Sequence, residues 1–533
     1  MLKSHYHGQL VNDDYINMAV HTMLTFRFWT IVVVAYFALL VLYNLYFHSL
    51  AKYPGPFWAR TTLLWRFWHS MSGHPHRAIE DCHRKYGDVF RVGPNELSFA
   101  TVQAFKDIYT ARNPVIPKSE FYDMLGSGFS EADIACERDH KTAVQKRALF
   151  STALSVKALT EQEVVIQRSI DAFIEKLGKL GCTERGLDLT KWYMMLSFDI
   201  AGEMAFGESF GCIASETSNA WLDTIFSHLH TVTFMDNIRR FPLVLRLARL
   251  IPTRWTTTLR NKVTGFAREK TTRRLEKSGD RRDFLSNVVD KVRSGKVSEE
   301  EMAAHCSIIA FVIPDNALSL ESWMTANTIS LHSIAGSETS ATSMATITYF
   351  LLKSPTAYTK LTTEIRSRFK SLSEIDISST SASQLPYLHA VMEEGMRIVP
   401  TASLGFSRNA PGPGVTVDGH FVPAGTELYV SAWTVARDER YFRDATTFKP
   451  ERWIDPDNQD VKDASQPFWL GPRSCPGKNF AYAQMGLTLA KMVWAYDMEL
   501  IDQNLNWERD VRVHFVLWKP ELRVRSGERA AAL

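Results

Sequence analysis

The longest apolar run of the chain lies near its N-terminus. Residues 28–47 read FWTIVVVAYFALLVLYNLYF, without a charged side chain, between Arg27 and His48. A helix of this length spans about 30 Å, which is the thickness of the hydrocarbon layer of a membrane. The run predicts a transmembrane anchor at 28–47, preceded by a tail at 1–27. A buried core helix is the alternative interpretation.

The segment that follows the anchor changes character abruptly. Pro54 and Pro56 interrupt helical structure and stiffen the chain, which predicts a hinge at 48–60 before a body at 61–533. More basic residues follow the anchor closely than precede it, and basic residues favour the cytoplasmic side of a membrane. The body is therefore expected to face the cytosol.

Helical periodicity dominates the body. Apolar residues recur three and four positions apart at 159–180 and at 255–277. Short runs of strand-forming residues lie at 89–92, 97–99, 415–417 and 427–430. We predict a mainly α fold with a small β part, in a single large domain behind the transmembrane helix. Residues 237–255 mix five arginines with large apolar side chains, which suits either a helix on a membrane surface or an ordinary amphipathic core helix.

Composition narrows the function classes. Hydrophobic residues make up 45% of the chain and charged residues 22%, which excludes a disordered or collagen-like protein. With 61 Lys and Arg against 58 Asp and Glu, the net charge is +3, which is too weak to support nucleic-acid binding. The six cysteines form no C-x-x-C pair, so a zinc ribbon or a thioredoxin-like site lacks support.

One cysteine stands in a loop rich in turn-forming residues. Residues 468–477 read FWLGPRSCPG, and a helical pattern begins at Lys478. A helix N-terminus and nearby cations favour the thiolate form of a cysteine, and Gly471 and Gly477 allow the backbone to approach a flat ligand. This chemistry suggests that Cys475 is either a metal-ligating or a nucleophilic thiolate.

The same loop resembles a known family signature. The pattern F-x-x-G-x-R-x-C-x-G, met here by Phe468, Gly471, Arg473, Cys475 and Gly477, is similar to the haem-ligand motif of the cytochrome P450 monooxygenases. The resemblance implies haem b as the cofactor, with Cys475 as the axial ligand of the iron and Arg473 at a haem propionate. A structural loop with a buried cysteine is the alternative.

Two further motifs stand in the order that this family shows. Glu394 and Arg397 share one helical face, and alone they could form an ordinary surface ion pair. The resemblance, with Arg452 in F-K-P-E-R-W downstream, implies instead that Glu394, Arg397 and Arg452 are buried together beneath the cysteine loop. Their role would be structural.

Upstream, residues 335–339 read AGSET in a predicted long helix. A helix kink is the simple interpretation of this stretch. The resemblance implies the oxygen-activation motif of the family, formed by Ala335, Gly336, Glu338 and Thr339. Gly336 would open a groove for dioxygen, Thr339 would hydrogen-bond the reacting oxygen, and Glu338 would supply protons through water.

Alignment with the family also implies cations for the haem propionates. Arg147 and Arg408 occupy the matching positions, although each could equally be a surface arginine. The histidine or tryptophan that the family carries four residues before the first of these arginines is Ala143 here. This departure leaves the role of His140 open.

One departure from the family pattern is large. Residues 305–326 form an insertion of 22 residues between the segment E-E-E-M-A-A and the stretch that leads into A-G-S-E-T. A translated intron or an error in the gene model is one interpretation, and a genuine surface loop is the other.

The resemblance implies a haem-thiolate monooxygenase of the microsomal fungal type, similar to its benzoate hydroxylase-like and secondary-metabolite branches. Expected partners are an NADPH-dependent cytochrome P450 reductase, cytochrome b5, membrane lipid and an apolar small molecule, at the endoplasmic reticulum membrane with a single pass. Lys449, Arg473 and Lys478 could form the docking face for the reductase. An O₂-independent haem-thiolate isomerase or dehydratase, a xenobiotic or aromatic-acid hydroxylase, and a membrane-tethered binding protein are the alternatives.

The substrate itself is not readable from the sequence. The pocket walls are expected at 113–135, at 225–255, in the helix before Gly336, at 401–406 and near Phe515. Their apolar and aromatic character indicates only that the substrate is apolar.

Overall fold

The computed structural model describes residues 2–110, 114–125, 129–216, 233–241, 268–269, 271–276, 286–309, 336–514 and 516–529. Its first helix, α1 (Leu2–Leu42), continues into a π-helical turn at Tyr43–Phe47. The stretch His21–Phe47 is long and apolar enough to cross a membrane, and little of it is buried against the rest of the protein. The prediction of an N-terminal apolar helix is confirmed, and the helix also includes most of the predicted tail.

Hydrogen bonds fasten the segment after α1 to the body. The buried guanidinium of Arg91 donates to the carbonyl of Asn44 (2.6 Å), and the backbone N–H of Arg91 donates to the carbonyl of Pro54 (2.8 Å). Farther along the segment, the hydroxyl of Tyr53 donates to the carbonyl of Phe421 (2.7 Å). The residues interpreted as a hinge therefore lie along the body, and α2 (Phe57–Thr61) begins among them.

Helices make up most of the body. Its first half contains α3 (Leu64–Ser72), α4 (Pro75–Tyr86), α5 (Val102–Tyr109), α6 (Phe121–Leu125), α7 (His140–Ser151), α8 (Val156–Glu161), α9 (Glu163–Gly181), α10 (Leu189–Phe206) and α11 (Cys212–Ser215). Its second half contains α12 (Ser286–Arg293), α13 (Glu299–Ile309), α14 (Glu338–Lys353), α15 (Pro355–Arg368), α16 (Pro386–Ile398), α17 (Ala432–Ala436), α18 (Lys478–Ala495) and α19 (Trp507–Asp510).

Helix α9 shows why the apolar periodicity predicts structure here. Ile166, Ile170, Phe173 and Leu177 recur at helical spacing and are fully buried, so one face of the helix packs into the core. The predicted helix at 159–180 corresponds to α8 and α9. Of the predicted helix at 255–277, only residues 268–269 and 271–276 are described, and they are helical.

The β part of the described chain forms small sheets. The main sheet contains β1 (Val89–Gly93), β2 (Glu96–Phe99), β4 (Arg408–Asn409) and β7 (Glu427–Val430). Its order is β1–β2–β7–β4, and the β2–β7 pair is parallel. The other strands are β3 (Leu187–Asp188), β5 (Gly414–Val417), β6 (His420–Pro423), β8 (Tyr496–Leu500), β9 (Arg512–His514), β10 (Val516–Trp518) and β11 (Arg523–Glu528). They form one sheet of order β3–β11–β8 and the two hairpins β5–β6 and β9–β10.

Two hydrophobic cores hold the cysteine loop between them. Helix α14 packs against α10, α16 and α18 in the larger, helical core. The second core surrounds the main sheet and includes Leu97 and Leu428. Phe468 packs against the first core and Trp469 belongs to the second, so the loop is supported from both sides. The predicted mainly α fold with a small β part is confirmed.

The arginine-rich segment 237–255 is described only at 237–241. There Arg239 and Arg240 form ion pairs with Glu427 of β7, at 2.8 and 2.7 Å. In the described part, these two arginines therefore bind the body of the protein.

Candidate active site

The cysteine loop is a tight turn whose backbone the body fixes. The N–H of Cys475 donates to the carbonyl of Phe468 (2.8 Å). Gly471 has a φ of +70°, and a Cβ there would lie 2.3 Å from the carbonyl oxygen of Tyr109, so only glycine fits. At Gly477, in contrast, a Cβ would meet only the sulfur of Cys475, 3.8 Å away. Packing within the protein therefore does not require a glycine at position 477. The open space next to Gly477 lies on the side of the Cys475 sulfur.

The thiol of Cys475 is both accessible and partly desolvated. The Cys475 side chain is accessible to solvent, yet the protein atoms around it desolvate the thiol and raise its pKa. The N–H of Gly477 and the charges of Arg147 and Lys478 act in the opposite direction. Such a thiol becomes a thiolate when it binds a metal, because coordination displaces the proton.

Arg473 turns away from solvent toward the chain before α7. Its guanidinium donates to the carbonyls of Glu137 (2.8 Å), Arg138 (3.2 Å) and Asp139 (3.0 Å). Burial and the nearby charge of Arg408 lower the pKa of Arg473 to about 10. Arg473 therefore ties the cysteine loop to the start of α7 and brings a partly desolvated positive charge to the site.

Lys118 and Arg408 add two buried cations to the same region. Their backbones face each other in an isolated β bridge, and both side chains are buried. The Lys118 ammonium donates to the carbonyl of Ala135 and lies 4.5 Å from the centre of the Tyr122 ring. Burial, followed by repulsion from Arg408 and Arg473, lowers the pKa of Lys118 to about 7. The sequence does not identify Lys118 as a cation of the site, because a lysine in a proline-containing loop carries no local signal of burial.

The carboxylates of Asp133, Glu137 and Asp139 act on Lys118 and Arg473 through space without forming ion pairs with them. No carboxylate in the described part of the protein forms an ion pair with Lys118, Arg147, Arg408 or Arg473, and the buried Nε of Arg408 has no hydrogen-bond partner there. Burying charges without ion-pair partners is costly, so the arrangement favours an anionic ligand. Haem carries two carboxylates, a flat apolar ring and an iron that accepts a thiolate. We call Lys118, Arg147, Arg408 and Arg473 the cation cluster. Together with the accessible Cys475 sulfur and the space beside Gly477, this cluster fits a haem group.

Arg147 and His140 both lie on α7 but differ in their surroundings. The charge of Arg147 is close enough to Cys475 for the two to interact, although burial lowers the pKa of Arg147. His140 is the first residue of the helix and follows Asp139, whose carbonyl accepts from Arg473. Ala143 is fully buried.

The A-G-S-E-T motif lies at the start of α14. Gly336 is in a turn, and the helix begins at Glu338 rather than continuing through the motif, as glycine disfavours helix interiors. Ala335 lies outside the described residues, as does the insertion from residue 310 onward; residues 305–309 end α13. Thr339 is half-buried.

The Glu338 carboxylate is buried and already has partners. Its Oε1 accepts from the Lys519 ammonium and from the Thr342 hydroxyl (3.1 Å). Lys519 lies in L-W-K-P-E-L, a segment that the sequence offers no reason to place against α14. This second cation was also missed, because its partner is 181 positions away.

Glu394, Arg397 and Arg452 lie together and are almost completely buried. Arg397 donates to both oxygens of Glu394 (2.8 and 2.7 Å), and Arg452 donates to Glu394 Oε1 (3.1 Å). Asp460 supplies a second carboxylate to Arg452. The four charges cancel, and the cluster joins α16 to the chain that leads into the cysteine loop.

A cavity of about 90 Å³ is lined by Tyr122, whose ring the Lys118 ammonium contacts, and by Ser407, which precedes Arg408 in the chain. Part of its lining comes from regions that were expected to form the pocket, including Phe121, Tyr122, Leu404 and Phe406. Val513 is close in sequence to Phe515, which itself lies outside the described residues. Charged side chains also line the cavity, namely Arg66, Glu96, Asp236 and Arg240. Asp236 and Arg240 fall in the expected stretch 225–255, whereas Arg66 and Glu96 lie outside every expected stretch.

The expected docking face for the reductase is only partly exposed. Lys449 and Lys478 are exposed, whereas Arg473 points inward to backbone carbonyls. Lys449 and Lys478 are therefore available for docking a partner at the surface, and the guanidinium of Arg473 is not.

Comparison with known proteins agrees with this geometry. A family model described as Cytochrome P450 matches residues 52–524. The chain is similar to "Cytochrome P450 monooxygenase ORF9" of Penicillium roqueforti (strain FM164), with 47% identity over 494 residues that cover 92% of this chain and 91% of the relative. It is also similar to "Cytochrome P450 monooxygenase BOT4" of Botryotinia fuckeliana, with 43% identity over 91% of this chain and 87% of the relative. "Trichothecene C-15 hydroxylase" of Fusarium sporotrichioides is 32% identical over 92% of this chain and 95% of the relative. The chain therefore belongs to the cytochrome P450 family, whose members are monooxygenases that bind haem through a cysteine thiolate.

Proposed function

We propose that this protein is a membrane-anchored monooxygenase that hydroxylates an apolar small molecule of fungal secondary metabolism. The observation that carries this proposal is the accessible Cys475 sulfur near buried cations that form no ion pair with a carboxylate among the described residues. The printed name of one relative, a trichothecene C-15 hydroxylase, supports hydroxylation of a carbon skeleton. The benzoate hydroxylase-like branch has no comparable support among these relatives.

The residues of the site have different roles toward a bound haem group and the reaction. Bound haem supplies the activation of O₂ and the transfer of one oxygen atom to the substrate. Arg408, Lys118 and Arg473 can neutralise the two carboxylates of haem, and the loop between the two cores holds the Cys475 sulfur in place. Glu338 is a buried carboxylate next to Thr339, where it can relay protons to the reaction.

The aromatic part of the cavity wall supports an apolar substrate. The aromatic rings of Phe121, Tyr122 and Phe406 line it, and the chain passes from Phe406 through residue 407 directly to Arg408. A substrate in the cavity would therefore lie close to the cation cluster. Aromatic walls favour a ligand with a large apolar surface.

The partners follow from the anchor and the chemistry. We infer that α1 crosses the endoplasmic reticulum membrane once and leaves the body in the cytosol. An NADPH-dependent reductase, with cytochrome b5 as a second donor, would supply the electrons. Lys449 and Lys478 are the exposed basic residues available for docking these partners.

The test is product formation under labelled oxygen. Full-length protein in microsomes, with reductase and NADPH, is given apolar secondary metabolites under ¹⁸O₂. The proposal predicts one ¹⁸O atom in each product molecule and no product without NADPH. Product that forms without O₂ would contradict it and favour an isomerase or dehydratase, and turnover of aromatic acids alone would favour the aromatic-acid hydroxylase.

A further inference from the structure

A lysine from the C-terminal part of the chain is buried against the first turn of α14. Lys519 follows β10, and its ammonium donates to Glu338 Oε1 and to the Thr342 hydroxyl (2.8 Å). Its third contact is the Met194 sulfur at 3.7 Å. An ammonium has three N–H groups, so every donor of Lys519 is directed at a partner. The side chains of Lys519 and Glu338 are 0% and 2% exposed.

The contacts make the two oxygens of Glu338 unequal. Oε1 accepts from both Lys519 and Thr342. Oε2 is buried and has no hydrogen-bond partner in the described part of the chain. The free lone pairs of this carboxylate are therefore on Oε2, which makes Oε2 the oxygen that can take up a proton.

Because Glu338 is buried, its ion pair with Lys519 determines whether its carboxyl group carries a charge. A carboxylate without a partner in a water-poor environment becomes neutral rather than remain charged. Lys519 supplies the opposite charge, and its contacts to Thr342 and Met194 hold it at one position. The orientation and the charge of Glu338 therefore both depend on Lys519.

We propose that Lys519 is a positioning residue for proton delivery, which holds Glu338 through Oε1 and leaves Oε2 to receive and release the proton. Each turnover consumes two electrons and two protons, and for each of these protons Oε2 takes one from water and passes one on toward the reacting oxygen. Glu338 thereby returns to its starting state, and Lys519 keeps its three protons. The inference rests on the monooxygenase function proposed above, in which protons and reductase electrons are consumed together.

The experiment compares Lys519→Met with Lys519→Arg in the full-length holoenzyme. Without the ammonium we expect product formed per NADPH to fall about tenfold, which is less than the roughly 100-fold low end of the effect of a general acid or base, because Glu338 itself remains. The pH of half-maximal product formation should rise, because the ionised carboxylate loses its counter-charge. Lys519→Arg keeps a charge at this position and should recover most of both properties.

Lys491→Met is the matched control. Lys491 on α18 is also buried and also pairs with a carboxylate, that of Asp171 on α9, and its other hydrogen bond goes to Gln167 rather than to Glu338. This variant should lower thermal stability while leaving the product per NADPH and the pH profile unchanged. Equal effects of Lys519→Met and Lys491→Met on all three readouts would show a merely structural role and would overturn the inference.

A second measurement does not require Lys519→Met to fold. The infrared spectrum of the wild-type holoenzyme at neutral pH is compared with that of Glu338→Gln. We expect no protonated-carboxyl band from Glu338 in the wild type, and such a band would overturn the inference. A wild-type enzyme that forms no labelled product under ¹⁸O₂ would instead reject the proposed function, so the two failures are distinguishable.

Discussion

Replacing the buried carboxylate of Glu394 by an amide should destabilise the protein far more than the same change at the neighbouring Glu393. The oxygens of Glu394 accept five hydrogen bonds, two from Arg397 and one each from Arg452, the Lys449 N–H (2.9 Å) and the Trp453 indole (2.9 Å). Wherever the new NH₂ group is placed, it faces at least two N–H donors.

The magnitude follows from these contacts. Two lost hydrogen bonds to a charged group cost about 1.5–3 kcal/mol each. Arg397 would keep the amide oxygen and backbone carbonyls as acceptors but would have no carboxylate partner, whereas Arg452 would keep Asp460. Breaking a buried ion pair costs about 3–5 kcal/mol, and we expect Glu394→Gln to lower the free energy of unfolding by this amount.

Glu393→Gln provides the control on the same helix. Glu393 accepts from the Tyr482 hydroxyl, and a glutamine carbonyl can do the same. Burial raises the pKa of Glu393, so removing its charge should cost less than about 1 kcal/mol. Denaturant unfolding followed by circular dichroism, with haem content measured in parallel, compares the two variants. Equal destabilisation by both variants would refute the reasoning.

Three further outcomes are expected from single sites. Lys118→Met should release haem to apomyoglobin about tenfold faster or more, because a buried hydrogen bond to a charged group is worth about 1.5–3 kcal/mol. Lys118→Arg should release haem at the wild-type rate, and an unchanged rate in the methionine variant would exclude a role of Lys118 at the propionates. Burial lowers the pKa of His83 to about 4. As pH falls from about 6.5 to 4, His83 is therefore protonated in the unfolded chain but not in the folded protein, and the free energy of unfolding should fall by on the order of 3 kcal/mol. His83→Gln should flatten the melting temperature over the same pH range, and an unaltered slope would contradict the assignment. Glu427→Gln removes the carboxylate shared by Arg239 and Arg240, and hydrogen exchange at residues 233–241 should become faster while that of α18 does not; unchanged exchange at 233–241 would count against the ion pairs.

Local motifs made part of the site predictable. Phe468, Gly471 and Cys475 act within one loop, so ten consecutive residues are enough to show the pattern. The structure brings Glu394, Arg397 and Arg452 together, as expected from the order of their motifs. The apolar run of α1 and the periodicity of α9 reflect helix geometry alone, which is why both were predictable.

Contacts between distant segments were not predictable in the same way. Lys118 becomes part of the cation cluster through its bridge to Arg408, and Lys519 reaches Glu338 across 181 positions. Neither lysine differs in local sequence from a surface lysine. The two-residue strands β3 and β4 are likewise too short to show alternation, and their pairing with β11 and β7 defines them.

The central claim is that Cys475 binds the haem iron as a thiolate. The most direct test is the absorption spectrum of the reduced, CO-bound protein, recorded for the wild type and for Cys475→Ser at equal haem content. We predict the thiolate-shifted Soret band in the wild type and its loss, together with product formation, in the serine variant. A serine variant that keeps the shifted band and full turnover would contradict the account.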